Sequence, residues 1–313
     1  MTTDPATLVI VNPASAGGQT LRRWPEILAA LREFRVAVTP HLTAYPGEAT
    51  ERVREALLDG VQRIVVVGGD GTLNEVVNGC FQGDGAAVSE DFTIGVIPCG
   101  TGGDFARHAL GLTDDPRRNA RLIADGSLRS VDVGKVAFDS GTVRYFVNIA
   151  DCGIGGEVVA RVNRNTLKGT GLRGSAVFLG TSLSTLMRFG GRAASIDIDG
   201  ELVARRVQQV VVANGRAFGG GMLIAPRAEI DDGLFDVVIV AEMGRLEALR
   251  AMPALYRGNH LGHRAVEVRR GRRVRITAED GDELLFDIEG EQVERAPATI
   301  TCMPGALKVA APS

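Results

Sequence analysis

Within the first third of the chain, a short apolar run passes three times into a glycine-rich turn and then into a helical pattern. Residues 8–11 lead into 12–18, residues 64–67 into 68–72, and residues 94–97 into 99–104. Strands alternating with helices in this way imply a parallel sheet. The helical stretches can be read from their apolar spacing: Leu21, Trp24, Leu28 and Leu31 in the first, then Ala49, Val53, Ala56 and Leu57 ahead of a stop at Gly60. Leu73, Val76, Val77 and Cys80 mark the next, and a further helix is expected through Phe105, Ala109 and Leu110. Residues 35–38 read as an additional strand.

The pattern changes after about residue 128. Short β-branched or alternating runs follow at 131–137, 145–149, 195–198, 207–213, 235–240, 274–277 and 284–288, divided by turn pairs such as Asp199-Gly200 and Asp280-Gly281. Helical inserts are expected over 174–189 and 246–256. The fold class expected is therefore α/β plus β: a parallel-sheet α/β domain over 1–128, then a larger, mostly antiparallel β-rich domain over 129–296. The tail 297–313 is placed to pack back on the first domain. A length of 313 residues suits two cores better than one, and 45% hydrophobic residues suffice to fill them.

A net charge of −3 and 5% aromatic residues give no support to nucleic-acid binding. Cys80, Cys99, Cys152 and Cys302 are scattered without CxxC spacing and read as buried thiols of a reducing compartment. The start of the chain lacks a basic leader, and no apolar stretch is long enough to span a bilayer, so a cytoplasmic location is expected.

In open parallel sheets, ligands bind beyond the carboxyl ends of the strands, where the three glycine loops lie. Thr72-Leu73-Asn74-Glu75 fits a capping box and Thr101-Gly102-Gly103-Asp104 its shorter acidic form, so a threonine is expected to start each helix. Glycines there let backbone N–H groups approach an anion at the positive helix end, and nucleotide phosphates are the natural guest. The common phosphate motifs are absent. Gly134-Lys135 is followed by valine rather than Ser or Thr, no G-x-G-x-x-G follows the first strand, and there is no H-R-D with D-F-G. Asp70, inside the second loop, raises the question of why a carboxylate should stand among phosphates.

The stretches "GGDGTLNEVVNG" at 68–79, "NPASAGG" at 12–18, "IPCGTGGDFAR" at 97–107, "APRAEIDDGLFDVVIV" at 225–240 and "FDIEGEQV" at 286–293 together resemble the bacterial branch of the diacylglycerol kinase catalytic family, akin to sphingosine and ceramide kinases. GGDGT alone is shared with NAD kinases; the full set covers nearly the whole chain. The resemblance implies phosphorylation of a lipid hydroxyl by ATP, in a cleft between a nucleotide domain and a β-rich domain. It implies ATP contacts at Asn12, Thr43, Gly68, Gly69, Asp70, Gly71, Thr72, Leu73, Asn74 and Thr101. Glu291 is implied as the acceptor of the hydroxyl proton, with Asp70 and Asp104 as acidic residues on which activity depends. A structural Mg2+ is implied at the Asp232 side chain with backbone oxygens of Glu229 and Leu234, and oxygen ligands suit that hard cation. A lipid partner at the membrane surface follows, and a homodimer rests on likeness alone.

Two positions depart from the family pattern: Gly103 replaces the asparagine of "GTxNDF", and Glu289 the aspartate of "DGE". His260 and His263 have no neighbouring cluster to make a metal site. The run Arg264, Arg269, Arg270, Arg272, Arg273 and Arg275, read along a hairpin, offers charges to anionic headgroups. Alternative functions stay open: a kinase for a sphingoid base or a phosphatidylglycerol-type lipid, an NAD kinase, or a nucleotide or lipid sensor without catalysis.

Overall fold

A computed structural model describes residues 7–99, 103–164, 184–185 and 188–312. The chain divides into two compact units, one of residues up to Val133 together with Gly305 onward, the other Gly134–Pro304.

In the first unit, β1 (Thr7–Val11), β3 (Arg63–Gly68) and β4 (Thr93–Pro98) are buried almost without a break. Strands covered on both faces need such continuous Val- and Ile-rich runs. They pair in parallel in the order β2-β1-β3-β4, with the exposed β2 (Thr39–Leu42) at the edge. Val309, near the end of the last strand β15 (Ala298–Ala310), lies parallel to Ile94 of β4.

Val9, Val11, Val65 and Val67 meet Ile27, Ala30 and Leu31 of α1 (Ser15–Glu33) and Ala120 and Ile123 of α4 (Pro116–Asp125). α2 (Glu48–Leu58) buries Ala49, Val53, Ala56 and Leu57, and α3 (Asp70–Cys80) buries Leu73, Val76, Val77 and Cys80, as their spacing predicts.

Three local expectations are corrected. Residues 35–38 are no strand: Arg35 takes a left-handed backbone (φ 58), its N–H bonds the Arg32 carbonyl, and Val36 N–H returns to Leu31. That geometry closes α1 and delays the strand to Thr39. Leu21 is 50% exposed, because Ala16, Gly17 and Gly18 are left-handed and set the helix so that it buries Thr20, Ile27, Ala30 and Leu31. The helix expected through Phe105, Ala109 and Leu110 is a single π-helical turn, Phe105–Ala109. The true helix is α4, started by Asp115, whose carboxylate accepts the Arg117 N–H, and by Pro116.

The second unit is antiparallel in every pairing that follows. Its strands are the end of β5 (Leu128–Phe138) from Gly134 on, then β6 (Val143–Phe146), β7 (Ile149–Gly153), β8 (Arg192–Ile198), β9 (Glu201–Ala213), β10 (Phe235–Ala241), β11 (Val266–Gly271), β12 (Arg273–Ala278), β13 (Leu285–Ile288) and β14 (Glu291–Arg295). They run in the order β14-β13-β7-β9-β8-β12-β15, with β10 between β9 and β11 and a β5–β6 hairpin. Phe146, Phe235 and Phe286 are among its fully buried side chains. The run 145–149 is split between β6 and β7. The expected basic hairpin is not formed either, since β11 pairs with β10 while β12 pairs with β8 and β15. α5 (Ile154–Arg164) and α6 (Arg245–Leu255) are α-helices of this unit, and a short 3-10 helix spans Asn259–Gly262; the helix expected over 174–189 falls almost wholly outside the described residues. All four cysteines are buried, and none of them forms a disulfide. No helix of the described residues is long and apolar enough to cross a membrane.

Candidate active site

The carboxyl ends of β1, β2, β3 and β4 bring together most of the residues expected to bind a nucleotide. Asn12, just beyond β1, bonds the Val67 carbonyl through its N–H at 3.1 Å and donates its side-chain amide to the Thr72 hydroxyl at 3.0 Å. Thr43, just beyond β2, donates its N–H to the Val11 carbonyl at 2.9 Å. At Gly68 a Cβ would stand 2.6 Å from the Thr72 hydroxyl, so this close approach requires glycine.

The capping-box expectation is not met. α3 begins at Asp70 with Gly69 as its N-cap, and no side chain caps it. Thr72 lies inside the first turn, buried, with its hydroxyl taken by Asn12, and Glu75 accepts from Ala49 N–H at 3.3 Å instead. Around Gly69 and Gly71 nothing lies within 4 Å of where a Cβ would be. An uncapped helix start beside open space fits an anion such as a phosphate. Leu73 and Asn74 support the loop from beneath. Leu73 is buried with its N–H on the Gly69 carbonyl, and Asn74 accepts from the Asn78 amide at 3.0 Å.

Asp70 reaches across to the next loop. Its Oδ2 accepts the N–H groups of Gly103 at 2.9 Å and Asp104 at 3.0 Å. Burial pushes its carboxyl above the usual range, and the neighbouring charge of Asp104, itself buried, adds to this while the backbone donors oppose it. Two adjacent carboxylates that repel each other suit a divalent cation. Gly103 is left-handed (φ 80), a conformation suited to glycine and, next, to asparagine, so this departure from the family pattern preserves the turn. Thr101 lies outside the described residues.

In the second unit, Glu291 opens β14 and is exposed. It follows a two-residue turn of Glu289 (φ 55) and Gly290 (φ 84), with Ile288 opposite Glu291 across the hairpin. The Glu289 carboxylate accepts the N–H groups of Val147 at 2.9 Å and Asn148 at 2.7 Å, and its own N–H bonds the Ile149 carbonyl. The long side chain thus ties the hairpin tip to the bend between β6 and β7.

Behind the tip, Asp287 of β13 stands opposite Asp151 of β7, both buried. Each has an Oδ1 without a hydrogen-bond partner. Burial pushes Asp287 up to about 7, against the N–H groups of Gly290 and Glu291 that it accepts; the charge of Glu291 pushes the same way as burial. Burial and then the charge of Asp287 push Asp151 well above the carboxylate range. The sequence reading missed this pair, whose signal is an aspartate inside each apolar run, "IADCG" and "LFDI".

Of the residues expected at a magnesium site, Glu229, Asp232 and Leu234, the Asp232 side chain has both carboxylate oxygens already engaged. The Asp232 Oδ1 accepts the Leu234 N–H at 3.0 Å, and its Oδ2 is held by Arg270, which also bonds Asp236 at 3.1 Å. A guanidinium already brings the positive charge to Asp232. Among the described residues no group of three or more His, Cys, Asp or Glu side chains could hold a metal. Other members of the basic run are also ion-paired: Arg264 with Glu247, Arg269 with Glu267 and Glu201, and Arg275 with Asp139. His260 is buried against the Ile224 carbonyl at 2.9 Å.

A family model for the diacylglycerol kinase catalytic domain matches residues 6–136, and one for the YegS C-terminal NAD kinase beta sandwich-like domain matches 149–311. The diacylglycerol kinase of Bacillus subtilis (strain 168) is 29% identical over 284 residues, covering 90% of this chain and 88% of its own. A Pseudomonas aeruginosa PAO1 protein named "Probable lipid kinase YegS-like" is 31% identical over 315 residues, covering 98% and 94%. Among solved structures, one Bacillus anthracis str. Sterne chain has a TM-score of 0.78 at 25% identity, covering 100% of this chain and 97% of its own. A diacylglycerol kinase from the same strain shares the fold with a TM-score of 0.71 at 22% identity, covering 100% and 98%.

Proposed function

The chain belongs to the diacylglycerol kinase catalytic family, and from that membership we propose that it transfers the γ-phosphate of ATP to a lipid hydroxyl, with diacylglycerol as acceptor and phosphatidic acid as product. The observation that carries the reading is the uncapped start of α3, where Gly69 and Gly71 leave space for phosphate beside the half-buried carboxylate of Asp70 and the buried one of Asp104.

Phosphoryl transfer asks a protein mainly for positioning and charge neutralisation. The N–H groups at the start of α3 bind the phosphates, with Asn12 and Thr43 bordering them. Asp70 and Asp104 would hold a magnesium ion, which when bound offsets phosphate charge. Glu291 accepts the proton of the acceptor hydroxyl as its oxygen bonds to the γ-phosphorus and the bond to the leaving ADP breaks. No step is assigned to a metal at Asp232.

The test is transfer from radiolabelled ATP to mixed micelles carrying diacylglycerol, a sphingoid base or phosphatidylglycerol, with NAD as a soluble competitor. Label in phosphatidic acid is expected. Label in another lipid or in NAD reassigns the acceptor, and ATP binding without any transfer replaces the kinase with a sensor.

A further inference from the structure

The second unit carries a helix whose outward side is composed unlike an ordinary solvent face. On α6 and the two residues after it, the exposed positions are Arg245, Leu246, Leu249, Arg250, Pro253, Tyr256 and Arg257. Leu246 is 64% exposed, Leu249 40% and Tyr256 51%. Leu246, Leu249, Pro253 and Tyr256 fall at i, i+3, i+7 and i+10, so they form one stripe, with arginines along it and no acid among the exposed residues. The acid of the helix, Glu247, is only half-buried but is turned to Arg264 at 2.9 Å and His263 at 3.5 Å. The inner side is already satisfied: Ala248 is buried, and Leu255 packs against the cluster of Ile224, Ala225 and Ala228 while its carbonyl accepts the Leu223 N–H at 2.9 Å. The outward leucines and tyrosine therefore keep much of their surface open rather than filling this cluster.

We propose that this face of α6 is the surface by which the protein docks on an anionic lipid bilayer, with Leu246, Leu249 and Tyr256 entering the headgroup layer and Arg245, Arg250 and Arg257 meeting lipid phosphates. A helix lying in the interface presents apolar and cationic side chains together. Charge complementarity selects the occupant: a two-fold contact between copies of this face would bring arginines against arginines, whereas a bilayer containing anionic lipid supplies the opposite sign. An open groove of about 1050 Å³ beside the helix, lined in part by Arg245, Arg250, Glu247, Asn259 and His263, gives a headgroup polar partners. The ion-paired arginines of β11 and β12 are thereby relieved of the role that their sequence suggested. The choice of a bilayer rests on the lipid-kinase reading, since an acceptor with two acyl chains resides there.

The test is cosedimentation of the full chain with phosphatidylcholine vesicles, with and without phosphatidylglycerol. It compares wild type, the double variant Leu246→Ser with Leu249→Ser, and the triple variant Arg245→Gln with Arg250→Gln and Arg257→Gln. All five positions are exposed, so both variants are expected to keep the wild-type circular dichroism spectrum. Wild type binds the anionic vesicles and is released by salt, and the triple variant binds them about 100-fold more weakly at low salt. The double variant weakens binding at every salt concentration. Phosphorylation of vesicle-borne diacylglycerol falls in step, while a short-chain diacylglycerol in detergent keeps wild-type turnover. Variants that bind vesicles like wild type overturn the proposal, as do variants that turn a dimer into a monomer and leave vesicle binding unchanged. If no lipid is phosphorylated by wild type but vesicle binding depends on these residues, the surface stands and the kinase reading falls.

Discussion

Asp70 holds the Gly103 and Asp104 N–H groups through one oxygen, a contact that an amide oxygen can also accept. The Asp70→Asn variant therefore separates the charge from the anchor. Kinetics should show turnover lowered by about 100-fold or more while the thermal midpoint is retained, as loss of electrostatic support in phosphoryl transfer predicts; retained turnover would leave Asp70 as a tie between two loops. The buried Asp287 gives a pH signature. Its carboxyl is raised from the ordinary carboxylate range to about 7. The stability it contributes is thus complete below the unfolded-state value and lost as pH rises through the folded one. Thermal unfolding of the wild type should weaken from about pH 4 to about pH 7, and Asp287→Asn should flatten that slope and be more stable above it by about 1–3 kcal/mol. An unchanged slope would show that the Asp151–Asp287 pair keeps no proton. The glycine loops were legible because their residues are contiguous. The aspartate pair was not, because it forms only when β7 and β13, far apart in the chain, come into register.

At the scale of elements, helices and strands were legible where the apolar spacing is uninterrupted, as in α2, α3, β1, β3 and β4. They were misread where a backbone conformation decided the outcome. Arg35 turns left-handed and moves β2, and α4 buries little more than Pro116, Asn119, Ala120 and Ile123 among its arginines, so its pattern is faint. The basic stretch 264–275 resembled a hairpin because local sequence cannot show that each half pairs with a distant strand. The β13–β14 hairpin is the element on which the proposed proton acceptor depends. Glu289→Ala removes the acceptor for two backbone N–H groups and should cost about 1–3 kcal/mol of stability. It should also lower kcat more than it raises the KM for ATP, because the loosened tip carries Glu291. Steady-state kinetics with a parallel melt checks this; an unchanged kcat would detach the turn from the chemistry.

At the scale of the whole molecule, two units with different pairing rules carry different parts of the proposed reaction. The parallel unit offers helix-start N–H groups to phosphate and the carboxylates of Asp70 and Asp104 to a cation, and the antiparallel unit offers Glu291 and the cationic-apolar face of α6. The net charge of −3 conceals that face, which becomes visible only after the structure has paired Glu247 with Arg264 and His263. The central claim, that the chain phosphorylates a lipid hydroxyl with Glu291 taking the proton, is tested most directly by one measurement. It is the rate of label transfer from γ-labelled ATP to diacylglycerol in mixed micelles, for wild type and Glu291→Gln at equal, saturating ATP. The predicted result is phosphatidic acid from wild type and a rate about 100-fold to 10,000-fold lower in the variant, with ATP binding intact. Equal rates in the two proteins, or no labelled lipid from wild type, would contradict it.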